Sequence, residues 1–244
     1  MNGNEGQPIK LSPSFNQTCK IALFGVIILS TIFALNQFKL SQYFPINNVQ
    51  VYGANRLNHQ EVQDLLIPIV KRGFFNVKVN YIRERLLQMP WVSDIFVRKH
   101  WPDQVEITVI EKKPMAYWNG ESLLSEAGQL FTPEVDTYPQ GLPRFVGPNG
   151  KQIFMLEYFN EINRLFAPLH VKISYLELTT FSTWRLMLDN GITLQIGHKD
   201  ILTRLGHFVK VYPKIIGKRA DYVDYIDLRY PNGVAIRWKG PIQA

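Results

Sequence analysis

Cysteine is almost absent from this chain: one residue in 244, Cys19, close to the N-terminus. The two hundred residues beyond position 39 have none. That excludes a disulfide framework and suits an oxidising compartment, where a lone thiol is a liability. Catalytic signatures are missing too. His59, His100, His170, His198 and His207 form no close metal-ligand pattern such as His-Glu-x-x-His, and there is no Gly-x-Ser-x-Gly elbow, P-loop or dinucleotide fingerprint. Glu157 and Glu161 share a helix face at i,i+4, the spacing of ordinary surface acids. Because general acid–base sites can be assembled from scattered carboxylates, a membrane-anchored cell-wall hydrolase stays open as an alternative. With no low-complexity tract and no long Pro/Gly/Ser linker, the composition is that of a globular chain.

The longest stretch without charge lies near the N-terminus. Residues 21–38 hold no Asp, Glu, Lys or Arg, and Lys20 and Lys39 bracket them. As a helix the run reaches about 27 Å, close to the ~30 Å of a bilayer's hydrocarbon core. No Ala-x-Ala processing site lies after it, as a cleaved signal would require, and Cys19 precedes it, on the wrong side for a lipoprotein. The run is therefore expected to be an uncleaved signal anchor, with Asn36, Gln37, Tyr43 and Phe44 at the far interface. Lys10 and Lys20 stand before it against Glu5, and Lys39 and Arg56 stand after it, a slight positive-inside bias. Taken with the cysteine distribution, this favours residues 1–20 as a cytoplasmic tail, 21–38 as the transmembrane helix and 39–45 as a linker. Setting aside Lys10, Lys20 and Glu5, the remainder carries 25 Lys and Arg against 19 Asp and Glu, a net of +6. That mild charge suits lipid headgroups or cell-wall polymer. The basic residues are scattered rather than striped, so nucleic acid is not an expected partner.

Hydrophobic periodicity divides the chain beyond residue 45 into two domains. Residues 46–52 read as a strand, and Asn58-x-x-Glu61 opens a helix that Pro68 is expected to end. Asn80 is the expected cap of a second helix, running to Met89. Residues 92–100 and 104–111 read as strands around Trp101-Pro102-Asp103, with Val105, Ile107 and Val109 alternating onto one face. The order β-α-α-β-β fits one small domain, 46–112. Residues 113–240 form a strand-rich antiparallel α+β domain, with helices near 153–166 and 199–212 and an Asn190-Gly191 hairpin. Residues 241–244 are left as a tail. Lys199, Arg204, Lys210, Lys214, Lys218 and Arg219 form a basic cluster, read either as a solvated helix face or as a contact for anionic lipid or glycan.

The run Met89-Pro-Trp-Val-Ser-Asp-Ile-Phe-Val-Arg-Lys-His-Trp-Pro-Asp-Gln-Val-Glu-Ile, continued by Glu111-Lys-Lys-Pro-Met-Ala-Tyr-Trp-Asn, resembles the POTRA signature of the FtsQ/DivIB cell-division family. Tyr225-Ile-Asp-Leu-Arg-Tyr and Gly233-Val-Ala-Ile-Arg-Trp resemble the end of that family's second domain. The resemblance covers nearly the whole chain. It implies a bitopic inner-membrane protein of the divisome, at the septum, with its N-terminus cytoplasmic and its domains periplasmic. It implies no catalytic residue, cofactor, metal or small-molecule substrate. The implied partners are FtsB and FtsL, through which septal peptidoglycan synthesis is controlled, together with FtsK, FtsW and FtsI. The implied FtsB edge falls on Tyr230, Gly233 and Trp238, with Asn232 and Val234 beside them. The family's recruitment region falls on Val97 and Lys99. Where relatives often carry an acidic-serine pair, this chain has Pro231-Asn232. A POTRA-bearing translocation or assembly factor is the other reading by fold analogy, although such proteins usually repeat the module or continue into a barrel.

Overall fold

The computed structural model describes residues 13–37, 44–230 and 233–240. Residues 1–12 of the expected tail, Phe38 of the expected span, 39–43 of the expected linker (Tyr43 among them), Asn232 and the expected tail at 241–244 lie outside the described residues.

Helix α1 (Pro13–Gln37) contains the uncharged run. Its side chains are described from 20 to 33, and over that stretch Ile21, Leu23, Phe24, Val26, Ile27, Leu29 and Phe33 are all exposed. Ser30 and Thr31 donate their hydroxyls to the Ile27 carbonyl oxygen, at 2.9 and 2.7 Å, so both polar groups are satisfied within the helix. Among the described residues no helix is long and apolar enough to cross a membrane.

The next unit is β1 (Asn48–Tyr52), α2 (His59–Val70), α3 (Val79–Leu86), β2 (Val92–His100) and β3 (Gln104–Glu111), in the expected order β-α-α-β-β. The three strands lie β1-β3-β2, with β1 parallel and β2 antiparallel to β3. Asn58 caps α2, its side-chain oxygen accepting from the Gln60 N–H at 3.0 Å. Val62, Leu66 and Ile69 then recur on one buried face, as helical periodicity requires. Two expectations need correction. Pro68 lies inside α2 rather than ending it: it sits in the last turn, where the Asp64 carbonyl it deprives of an N–H belongs to an exposed residue. Asn80 is not the cap of α3. The Lys78 carbonyl already accepts from Tyr81 and Ile82, and the buried pair Ile82 and Leu86 fixes the helix register from there.

The remaining strands are β4 (Pro114–Trp118), β5 (Ser122–Ser125), β6 (Leu130–Phe131), β7 (Arg144–Val146), β8 (Ile173–Leu178), β9 (Trp184–Leu188), β10 (Thr193–Gly197), β11 (Val223–Asp227) and β12 (Ala235–Trp238). Helices α4 (Gln152–Phe166) and α5 (Ile201–Ile215) lie among them. The strands form one sheet in the order β12-β11-β10-β9-β8-β7-β4-β5-β6. It is mixed, not antiparallel as expected: β4 pairs with β7, β7 with β8 and β10 with β11 in parallel. The cause is that β7 and α4 stand between β5–β6 and β8, and α5 between β10 and β11, so crossovers replace hairpins. The core is built from both helices and the strands they cover, with Phe145, Phe166 and Phe208 fully enclosed. Burying each phenylalanine contributes about 1.5–3 kcal/mol.

A candidate partner-binding edge

Strand β12 closes one end of the nine-stranded sheet and has β11 as its neighbour among the described residues. What holds it there starts at the last residue of β11. Asp227 is only 4% exposed, and its carboxylate accepts the Arg229 backbone N–H at 3.0 Å, Nε–H at 2.9 Å and Nη2–H at 2.6 Å. The Arg229 hydrogen bonds hold the Asp227 carboxyl below the usual carboxylate range, outweighing the opposing effect of burial. A buried carboxylate without such partners would be destabilising; here it pins the turn leading into β12. The Leu228 N–H donates to the Gln195 carbonyl, so the same turn is tied to β10.

Room for this arrangement comes from Gly197, whose φ is +90°. A Cβ there would lie 3.1 Å from Arg204 Nη1 and 3.3 Å from Arg229 Cγ. Arg204 in turn donates to the Ile196 carbonyl at 2.7 Å. Beyond the turn, Tyr230 is 59% exposed and Gly233 is exposed, while Val234 packs partly against the core. Trp238 is 41% exposed, with the Arg219 guanidinium 5.4 Å from its ring centroid. The pairing of β11 and β12 shifts between Val223 and Tyr225, an irregularity that re-aims the end of the edge where Trp238 stands. Arg237 bonds Asp224 and lies over the Tyr225 ring at 4.3 Å. Lys239 donates to the Asp221 carbonyl at 2.8 Å. A groove of about 730 Å³ runs beside the turn, with Arg204, His207, Tyr230, Gly233 and Val234 in its wall.

The structure thus gathers Tyr230, Gly233, Val234 and Trp238 at one sheet edge. Val97 and Lys99 lie on a different sheet, on β2, one of the two edge strands of the three-stranded sheet. Val97 packs partly against that domain's core. Lys99 donates its ammonium to the Phe74 carbonyl at 2.9 Å and sits 5.3 Å from the Phe74 ring centroid, tying β2 to the turn after α2. Sequence reasoning did not assign Asp227, Gly197, Arg204 or Arg219 to this edge. The pair Asp227-x-Arg229 is a usable signal; the positive φ at Gly197 and the placement of Arg219 over the Trp238 ring have none. Glu161 is paired with Arg164 at 3.0 Å, as a surface acid would be. Among the described residues no group of His, Cys, Asp or Glu is placed to hold a metal ion.

Residues 44–112 match the family model described as "POTRA domain, FtsQ-type", and residues 116–229 match "Cell division protein FtsQ/DivIB, C-terminal". The chain is 34% identical to Cell division protein FtsQ of Coxiella burnetii over 80% of its own length and 81% of that protein's. The chain belongs to the FtsQ/DivIB cell-division family. The FtsQ of Vibrio cholerae is 32% identical over 96% of the chain and 92% of the relative, and that of Escherichia coli K12 is 29% identical over 88% and 83%. The match to the family's C-terminal model stops at residue 229, so Tyr230 and the edge strand β12 lie just past it.

Proposed function

We propose that this FtsQ-family protein is a non-enzymatic, bitopic scaffold of the bacterial divisome in the inner membrane. It takes FtsB, and with it FtsL, onto β12 and so takes part in the control of septal peptidoglycan synthesis. The observation that carries the reading is the edge itself. β12 offers backbone N–H and C=O groups to an added strand, and Tyr230 and Trp238 offer aromatic anchors on either side of it. Asp224 and Asp227 are paired with Arg237 and Arg229, while Arg219 stands over the Trp238 ring and Arg204 lines the groove beside Tyr230. A partner strand with acidic residues is the complement. Asn232 joins this surface on the family pattern.

Val97 and Lys99 are the proposed recruitment surface, on the opposite, POTRA-type sheet. Further divisome proteins such as FtsK, FtsW and FtsI are the partners proposed for the rest of the molecule. In this reading α1 is the signal anchor, with residues 1–20 cytoplasmic, 21–38 in the bilayer, 39–45 a linker, and 46–112 and 113–240 as periplasmic domains at the septum. The exposed apolar surface of α1 and the self-satisfied hydroxyls of Ser30 and Thr31 support that placement.

The test is capture of FtsB by the full chain in detergent. Trp238→Ala and Tyr230→Asp should each weaken capture at least about thirtyfold, the loss of one hot-spot side chain of ~2 kcal/mol. Circular dichroism and thermal melting should stay as in the wild type. Capture that survives both changes in a folded protein would remove β12 as the binding edge.

A further inference from the structure

Three segments of the POTRA-type domain converge on the pole at which the chain arrives from α1. The Asn47 N–H donates to the Asp103 carbonyl at 3.0 Å, and its side-chain amide donates to the Asp103 carboxylate at 2.9 Å. This sets the start of β1 beside the β2–β3 turn. The Phe74 N–H donates to the Phe44 carbonyl at 2.9 Å, and the Phe44 and Phe75 rings meet edge to face at 5.4 Å. Lys99 fastens the same turn to β2.

Two large aromatic residues stand out from this pole: Trp101 is 71% exposed and Phe75 is 52% exposed. Around them Lys71, Arg72 and Arg98 are exposed and make no ion pair among the described residues. The acids of the pole are engaged, Asp103 with Asn47 and Glu106 with His100 at 3.0 Å. Only seven Cα steps separate Gln37 at the end of α1 from Phe44, a reach of at most about 25 Å.

We infer that this pole docks on the anionic headgroup surface of the bilayer in which α1 is anchored, with Trp101 and Phe75 at the interface and Lys71, Arg72 and Arg98 against lipid phosphates. The inference rests on the proposed anchor. Exposed Trp and Phe beside basic residues are the composition that interfaces favour, because the ring body leaves water while the charges stay hydrated and meet anions. The short tether keeps the pole within reach of the surface, so even weak contacts are held at high local concentration. Seated this way, the POTRA-type domain is orientated by its own surface.

The experiment uses the full chain reconstituted in vesicles of phosphatidylcholine, with or without a third of phosphatidylglycerol, and with brominated acyl chains as fluorescence quenchers. The difference between wild type and Trp101→Phe isolates the Trp101 emission. It should be quenched in the anionic vesicles. Charge reversal at Lys71, Arg72 and Arg98 should relieve the quenching, each basic residue removing a roughly fivefold gain in surface occupancy. Carbonate extraction of the same vesicles reads the anchor separately. Protein that resists extraction but leaves Trp101 unquenched in both lipids overturns the docking while the anchor stands. Protein released by carbonate overturns both. An unquenched Trp101 whose emission shifts to the blue as protein density rises would give the pole to a second copy of the chain, which also overturns the lipid assignment.

Discussion

At the scale of single residues, the control of the candidate edge falls on an interaction that faces away from any partner. Asp227 is almost wholly buried, yet its hydrogen bonds from Arg229 decide where Tyr230 leaves the sheet. Because its folded pKa lies below the ordinary 3.8, the ion pair contributes stability that is fully present at neutral pH. That contribution is lost as pH falls below about 4 and through the depressed value, since the unfolded chain takes up the proton first. Asp227→Asn keeps an acceptor for the Arg229 N–H but removes the charge. It should lower stability by about 1.5–3 kcal/mol at pH 7, the range for hydrogen bonds to charged groups. Unfolding by urea at pH 7 and at pH 3 checks both parts: the gap between wild type and variant should narrow in acid. A gap unchanged at pH 3 would mean that Asp227 acts through shape alone. Loss of FtsB capture without loss of folding would place the damage in the turn.

At the scale of elements, the sequence is legible where one period runs uninterrupted. β2 and β3 have the ends their residues announce, because Val105, Ile107 and Val109 alternate cleanly and Trp101-Pro102-Asp103 punctuates them. The Asn58 cap is legible because its chemistry is local. The Gln60 N–H has a partner two residues away. Asn58→Ala should therefore cost about 1 kcal/mol, seen as a lower urea midpoint at an unchanged slope. A change in slope instead would indicate that α2 frays well beyond its first turn. Distant contacts set the elements that are not legible. β7 is three residues long, too short to show a period, yet Phe145 at its centre is fully buried between two parallel neighbours. The parallel pairings arise from where α4 and α5 cross, and no local window carries that information. In the same way the exposure of Tyr230, Gly233 and Trp238 can be named from a family resemblance, but their common edge depends on β11 pairing with β10 across the whole of α5. Pro213, inside α5, repeats the lesson of Pro68: a proline in the final turn shortens the hydrogen-bond ladder without stopping the helix.

At the scale of the whole molecule, the two folded units share a seam. The core of the POTRA-type domain includes Leu123 and Phe131 from β5 and β6 of the second sheet. Trp91 sits at the centre of this seam. Its indole N–H donates to the Thr137 hydroxyl at 3.0 Å, its ring meets Phe131 edge to face at 5.2 Å, and the Arg56 guanidinium lies 4.8 Å over it. Lys112, at the crossing point of the chain, donates to the Pro90 carbonyl at 2.8 Å and lies over the Phe131 ring, and partial burial holds its pKa below the ordinary lysine value. In the proposed scaffold, with one partner on β2 and another on β12, such a seam would fix the angle between the two edges. Trp91→Ala opens a cavity in the seam, so it should cost about 3–5 kcal/mol. Trp91→Phe keeps most of the packing and should cost about 1 kcal/mol for the lost hydrogen bond. Calorimetry of the full chain in micelles distinguishes coupling from simple destabilisation. The wild type and Trp91→Phe should each melt in one transition, and Trp91→Ala should melt in two, because each unit keeps its own core once the seam is cut. One cooperative transition in all three proteins, merely shifted in temperature, would show that Trp91 stabilises the POTRA-type core without joining it to the second sheet.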